Sequence, residues 1–202
     1  MAEEIEPLGK LLENGTIIFE RRLPGPIERI WAYIIDGDMR ARWLAGGDMP
    51  TTAGATGVLE FHHSTLTDDQ PPAKYAGFDR PMTMDYEVVA SRPPHHISFT
   101  WPEVGPHNPH NRLSIVAIDL AEAGDQVVLR LTHSQVGHDT DNLVGLLGGW
   151  QTHLGLLADA AAGGEKRPFW ATHVQNEKLY REHYAAELAG MSQAAMTHTN
   201  GG

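Results

Sequence analysis

Hydrophobic residues recur along this chain at two different spacings, and the switches between them predict the order of its elements. Thr16–Leu23 reads as a strand, broken by Pro24-Gly25-Pro26, and Pro26 suits the first position of a helix. Ile27, Ile30, Trp31 and Ile34 then fall at i, i+3, i+4 and i+7, which is one apolar helical face. Asp36-Gly37 ends that helix, and Asp38 is placed to cap a second short one, Met39–Leu44, which carries Trp43. Gly57–His63 is the next strand candidate and carries Phe61. Ser64–Pro81 is polar and proline-containing, longer than a tight hairpin needs, and reads as a surface excursion.

Period two returns in Met82–Ala90, where Met84, Tyr86 and Val88 alternate with Thr83, Asp85 and Glu87. Arg92-Pro93-Pro94 makes a turn, and Ile97, Phe99 and Trp101 share one face of the strand that follows. Pro102–Asn111 is a loop. Arg112–Leu120 and Gln126–His133 predict a hairpin across Ala121–Asp125, with Val127, Leu129, Leu131 and His133 on one face. Helical spacing takes over in Leu143, Leu146, Leu147, Trp150, Leu154 and Leu157, a helix opened by Thr140 or Asp141 and stopped by Gly163-Gly164. Pro168–Leu188 predicts a further helix with Phe169, His173, Tyr180, Tyr184 and Leu188 roughly on one face. No internal repeat is present. The expected division is a domain over residues 12–164, an additional helix over 165–190 and a flexible tail over 191–202.

Composition narrows the partners. A chain of 202 residues fits one domain, and 41% hydrophobic content is enough for a core. The formal net charge of -11, with no basic run, argues against nucleic acid and against an anionic membrane surface. Without cysteine there is no disulfide, thiolate metal site or Cys nucleophile, which fits a reducing compartment. Met1–Glu6 is acidic where a signal peptide would be basic, and no apolar stretch approaches the roughly 20 residues that span a bilayer. A cytoplasmic location is expected.

Four segments, in order, resemble a known superfamily. They are Arg21–Pro26 leading to Ile30-Trp31; Trp43; Val88–Pro94 leading to Phe99-Thr100-Trp101; and Leu129–Ser134 followed by Gly149–Leu154. Together they resemble the START-like (SRPBCC) helix-grip proteins, in particular the branch similar to the C-terminal domain of the heat-shock protein 90 ATPase activator. The resemblance implies an α+β fold: a curved antiparallel sheet around a long C-terminal helix, with two short helices after the first strand. It implies a hydrophobic cavity in many relatives, whose roles range from lipid and hormone carriers to cyclases and co-chaperone domains.

Trp31, Trp43, Trp101 and Trp150 lie on elements that should face the interior, either filling the core or walling a cavity. Gly145, Gly148, Gly149 and Gly155 each weaken the long helix by roughly 1 kcal/mol relative to Ala, so a strand, a partner chain or a ligand should approach it closely. Among the 12 histidines, the doublets His62-His63 and His95-His96 and the pair His107/His110 lack metal-site spacing, and no metal or other cofactor is expected. His133 should point inward, as a backbone-bonded histidine, a polar ligand anchor or a general base. Asp85 and Glu87 are expected in solvent. No nucleophile elbow, P-loop or dinucleotide fingerprint is present.

The expected function is binding of a small hydrophobic or amphipathic ligand between sheet and long helix, with Trp43, Phe61, Trp101, His133 and Trp150 as contact residues. The alternatives are a co-chaperone-like or stress-related interaction module, and a cyclase- or hydrolase-type enzyme using His133. The aromatic stripe of the last helix could pack on its own domain, cover the cavity mouth or form a homodimer contact, the last slightly favoured.

Overall fold

The computed structural model describes residues 6–102, 113–137 and 139–191. The start of the acidic N-terminus, the loop with His107 and His110, and all of the expected tail except residue 191 lie outside the described residues.

Strands β1 (Lys10–Leu11), β2 (Ile17–Pro24), β3 (Thr56–Phe61), β4 (Met82–Arg92), β5 (His96–Pro102), β6 (Leu113–Ala123) and β7 (Gln126–Ser134) form one antiparallel sheet. Their order is β1-β2-β7-β6-β5-β4-β3. Helices α1 (Ile27–Ile35) and α2 (Gly37–Arg40) follow β2, α3 (Thr140–Ala162) packs across the curved sheet, and α4 (Phe169–His183) lies against α3. This is the expected helix-grip arrangement. The core forms where Ile17, Phe19 and Leu23 of β2, Val116, Ile118 and Leu120 of β6, and Leu129 and Leu131 of β7 meet Leu143, Leu147, Leu154 and Leu157 of α3, all buried. Alternation sets this face: in β7 every second residue from Val127 to His133 is buried.

Several boundaries differ from the sequence expectation. The second short helix starts two residues early because the Asp36 side chain, not that of Asp38, accepts from Met39 N, and it ends at Arg40. The β6–β7 connection is a two-residue turn, Gly124-Asp125, in which Gly124 takes φ +69°, a conformation open to glycine at little cost. The side chain that caps α3 belongs to Asp139, which accepts from Asn142 N, and Gly163 ends the helix at φ +67°. The predicted last helix breaks at Tyr184, and residues 185–191 are helical again, with Met191 buried where the tail was expected to begin. A two-residue strand, β1, was too short to read from periodicity.

Residues 64–81 are more than a surface excursion. They complete a short 3-10 turn at His63–Thr65, form another at Ala73–Phe78, and bury Leu66 and Tyr75. They also fasten α4. No side chain within α4 caps its start, and Asp69 does so from a distance: its carboxylate accepts from Phe169 N and Ala171 N, both at 3.0 Å.

The helix glycines divide by role. A Cβ on Gly148 would stand 3.1 Å from Glu177 N and 3.3 Å from its Cα, so α4 crosses α3 there at backbone contact. Gly155 is covered by the Arg167 guanidinium, whereas Gly149 has open space where its Cβ would be. The aromatic stripe of α4 is spent on its own chain: Phe169, Trp170, His173 and Tyr180 are buried. Tyr180 Oη accepts from Gly9 N at 2.6 Å and donates to Gln151 Oε1 at 2.7 Å, while Tyr184 Oη donates to Gly9 O at 2.9 Å and accepts from Leu11 N at 3.1 Å.

Candidate functional site

A cavity of about 710 Å³ lies between the β3–β5 end of the sheet, α3, α4 and the 64–81 segment. Its apolar wall includes Phe61 of β3, Met82 and Met84 of β4, Trp101 of β5, Leu146 and Trp150 of α3, and Phe169 and Trp170 of α4. Phe61, Trp101 and Trp150, expected from sequence as contact residues, are brought together: the Phe61 and Trp101 rings are 6.0 Å apart and those of Trp101 and Trp150 5.2 Å. Gly145 and Gly149 leave the α3 side of the cavity open. A smaller hollow of about 550 Å³, lined by Gly37, Asp38, Gly46, Gly47, Glu60 and His62 among others, shares Leu44, Phe61 and Met82 with it.

Two of the expected contact residues do not reach the wall. Trp43 is fully buried under α1, and its indole N–H donates to Tyr33 O at 2.8 Å. It fills the core because the turn after α2 folds it inward. His133 is also fully buried, one layer behind the tryptophans. Its Nδ1 accepts from the Trp150 indole N–H at 3.1 Å, which places its own proton on Nε2. That proton goes to Ser114 Oγ at 2.7 Å, and Ser114 in turn donates to Trp101 O at 2.9 Å. Ser114 gets there because it stands opposite Trp101 in the β5–β6 register while His133 stands opposite Val116.

This relay satisfies both imidazole nitrogens and ties the two wall tryptophans to one buried group. Burial pushes the His133 imidazole down to about 3, so it is neutral in the folded protein near neutral pH. Neither nitrogen is available to a molecule in the cavity. The geometry therefore does not support the general-base role weighed for His133, and makes it a residue that positions Trp101 and Trp150.

The sequence reading missed the polar end of the cavity. His63, His153 and His173 all line it and surround Phe169, with ring separations to Phe169 of 5.1, 5.1 and 5.9 Å. His153 Nδ1 donates to Trp43 O at 2.7 Å, and His63 Nδ1 donates to Phe78 O at 3.0 Å. Burial, with His63 as a smaller cause, pushes His153 down to about 3; burial also lowers His63 and His173. Glu177 closes this end, accepting from Lys74 Nζ at 2.7 Å and from Tyr75 Oη. Burial raises the Glu177 carboxyl, but these two donors outweigh it and hold it below its usual range. Asp85 and Glu87 are exposed, as expected. Among the described residues, no group of three or more His, Asp or Glu is arranged to hold a metal ion.

A model of one family, the Activator of Hsp90 ATPase homolog 1-like proteins, matches residues 24–162. The chain belongs to that family. A protein of Bordetella parapertussis, solved by NMR, is 43% identical with a TM-score of 0.72, over 86% of this chain and 88% of its own. CalU16 from Micromonospora echinospora is 18% identical with a TM-score of 0.60, over 90% of this chain and 94% of its own. A Mesorhizobium loti protein is 20% identical with a TM-score of 0.58, over 74% of this chain and 98% of its own. These last two show the shared fold alone. No curated protein matches the chain. The Activator of Hsp90 ATPase homolog 1-like segment holds Phe61, Trp101, His133 and Trp150, whereas α4, which closes the cavity, lies beyond it.

No helix among the described residues is long and apolar enough to cross a membrane.

Proposed function

We propose that this member of the Activator of Hsp90 ATPase homolog 1-like family binds a small apolar or amphipathic molecule in the cavity between sheet, α3 and α4. The observation that carries the reading is the His133 relay. A buried three-partner network holds Trp101 and Trp150 as a wall, where a merely filled core would need no open space beside them. The cavity volume is in the range of small-molecule sites, and its lining joins aromatic surface to a few polar groups at one end. Phe61, Trp101 and Trp150 are the contact residues in this reading. The cysteine-free composition suits action in the cytoplasm.

A native mass spectrum of the purified chain, repeated after denaturation, tests it. An extra mass that leaves on denaturation supports the reading. A clean apo mass, together with no change in tryptophan emission when an apolar dye is titrated in, overturns it. The same spectrum reads the oligomeric state. A homodimer through α4 would have to use its outer face, where Val174 and Leu179 are exposed.

The second reading, a chaperone-interaction module, is favoured by the family description alone. An unchanged chaperone ATPase rate on adding the protein would remove it.

A further inference from the structure

The polar end of the cavity has a definite hydrogen-bonding sense. His63 and His153 each give their Nδ1 proton to a backbone carbonyl, Phe78 O and Trp43 O. A neutral imidazole that donates through Nδ1 carries a lone pair on Nε2. Neither Nε2 has a hydrogen-bond partner among the described residues, and neither is sealed in the protein interior. Both residues line the cavity, with ring centres 5.8 Å apart. The cavity thus presents two acceptors that ask for donors.

Charge points the same way. No Lys or Arg is among the described residues lining the cavity, and Lys74, which reaches its edge, is already paired with Glu177. The ionised groups of the lining are carboxylates: Asp139, which caps α3, Asp141, which pairs with Arg181, and Glu177. An anionic head at this end would meet the two acceptors and negative charge, with no cation in the lining to replace its hydration, while the unpartnered Trp170 Nε1 and His173 Nδ1 are buried away from the open space.

We propose that the cavity selects a neutral ligand, an apolar body carrying a hydroxyl, over the carboxylate of the same body, with the hydroxyl donating to Nε2 of His63 or His153. This rests on the binding reading above and adds to it the chemical class of the head group. The apolar body lies against Trp101 and Trp150, and Phe169 spaces the two imidazoles.

Calorimetric titration at pH 7.5 with three probes of one skeleton tests both levels: 2-naphthol, 2-methoxynaphthalene, which keeps the oxygen but has no donor, and 2-naphthoate. The expected order is 2-naphthol tightest, by roughly five- to tenfold over 2-methoxynaphthalene, with 2-naphthoate weakest. H63F and H153F each keep an aromatic ring and remove an acceptor. At least one of them is expected to bring the ratio of 2-naphthol to 2-methoxynaphthalene affinity close to one, and circular dichroism shows whether each variant is folded. A 2-naphthoate affinity equal to or above that of 2-naphthol overturns the head-group assignment, as does a ratio that survives in both folded variants. Binding of none of the three probes overturns the cavity reading itself.

Discussion

The indole N–H of Trp150 donates to Nδ1 of His133 across 3.1 Å, behind the cavity wall where His133 is fully buried. The contact settles a tautomer, and the tautomer settles a role. Because Nδ1 accepts, Nε2 donates to Ser114, and the ring is locked between the long helix and the sheet. His133 acts on the cavity only through the two tryptophans that it holds.

Replacing His133 by Ala should therefore cost about 3 kcal/mol of stability, from the void left behind and from an indole N–H without an acceptor. Urea unfolding measures it. The tryptophan emission of the folded variant should also shift, since Trp150 loses its restraint. A loss well under 1 kcal/mol would show that the relay is dispensable.

Acid should destabilise the fold well before its carboxylates protonate. His133 and His153 are held near 3, below the ordinary histidine value of 6.5 that applies in the unfolded chain. A histidine with a depressed folded value leaves the unfolded state binding more protons below about 6.5, so stability is complete above that pH and falls as pH drops toward about 3. Each of the two should remove about 2 kcal/mol between pH 7 and pH 5. His63 and His173 shift in the same direction and add to the loss. Thermal midpoints across this range check the slope, which should flatten in a folded H153F variant.

The remote cap on α4 predicts a local effect. Asp69→Ala removes the acceptor of Ala171 N and one of the two acceptors of Phe169 N, the other being Thr67 Oγ1, and should cost about 1 kcal/mol. Hydrogen exchange should rise at the start of α4 and in residues 64–81, while β6 and β7 keep their protection. Uniform loss across the sheet would contradict this.

Two neighbouring glycines should respond in opposite ways. Gly148→Ala drives a methyl group into the backbone of Glu177, which must move away, and should lower stability by about 1–3 kcal/mol. Gly149→Ala meets open space and should raise helix stability by up to about 1 kcal/mol. The same methyl group narrows the cavity, so the stabilised variant should bind ligand less well. Melting curves and probe titration separate the two effects.

Much of this was legible in the sequence because strand alternation reports a face. It placed His133, Trp101 and the apolar side of β7 correctly. Alternation does not report depth, and an inward side chain at the middle of a sheet can stand behind a cavity wall. His133 stands one layer behind the wall for that reason, whereas Trp43 is carried on the turn after α2 and folds into the core, where strand alternation says nothing. Ser114 carried a usable signal, since it falls in phase with Val116, Ile118 and Leu120 on the buried side of β6. His153 carried one too, three residues beyond Trp150 on the same helix. Tyr75 and Phe78 carried none, because their approach to the cavity depends on irregular turns held by α4, and no local pattern encodes a contact of that separation.

The tyrosine pair on the last helix bears on how the chain is made. Tyr180 and Tyr184 bracket Gly9, and the bond from Gly9 N to Tyr180 spans 171 positions of sequence. Next to it, β2 must wait for β7, since Ile17 pairs with His133. The opening segment thus leaves the ribosome long before its partners exist. Until synthesis has passed residue 184 Gly9 lacks both tyrosines, although β1 can already pair locally with β2, so the fastening of the first strand to α4 waits for the last helix.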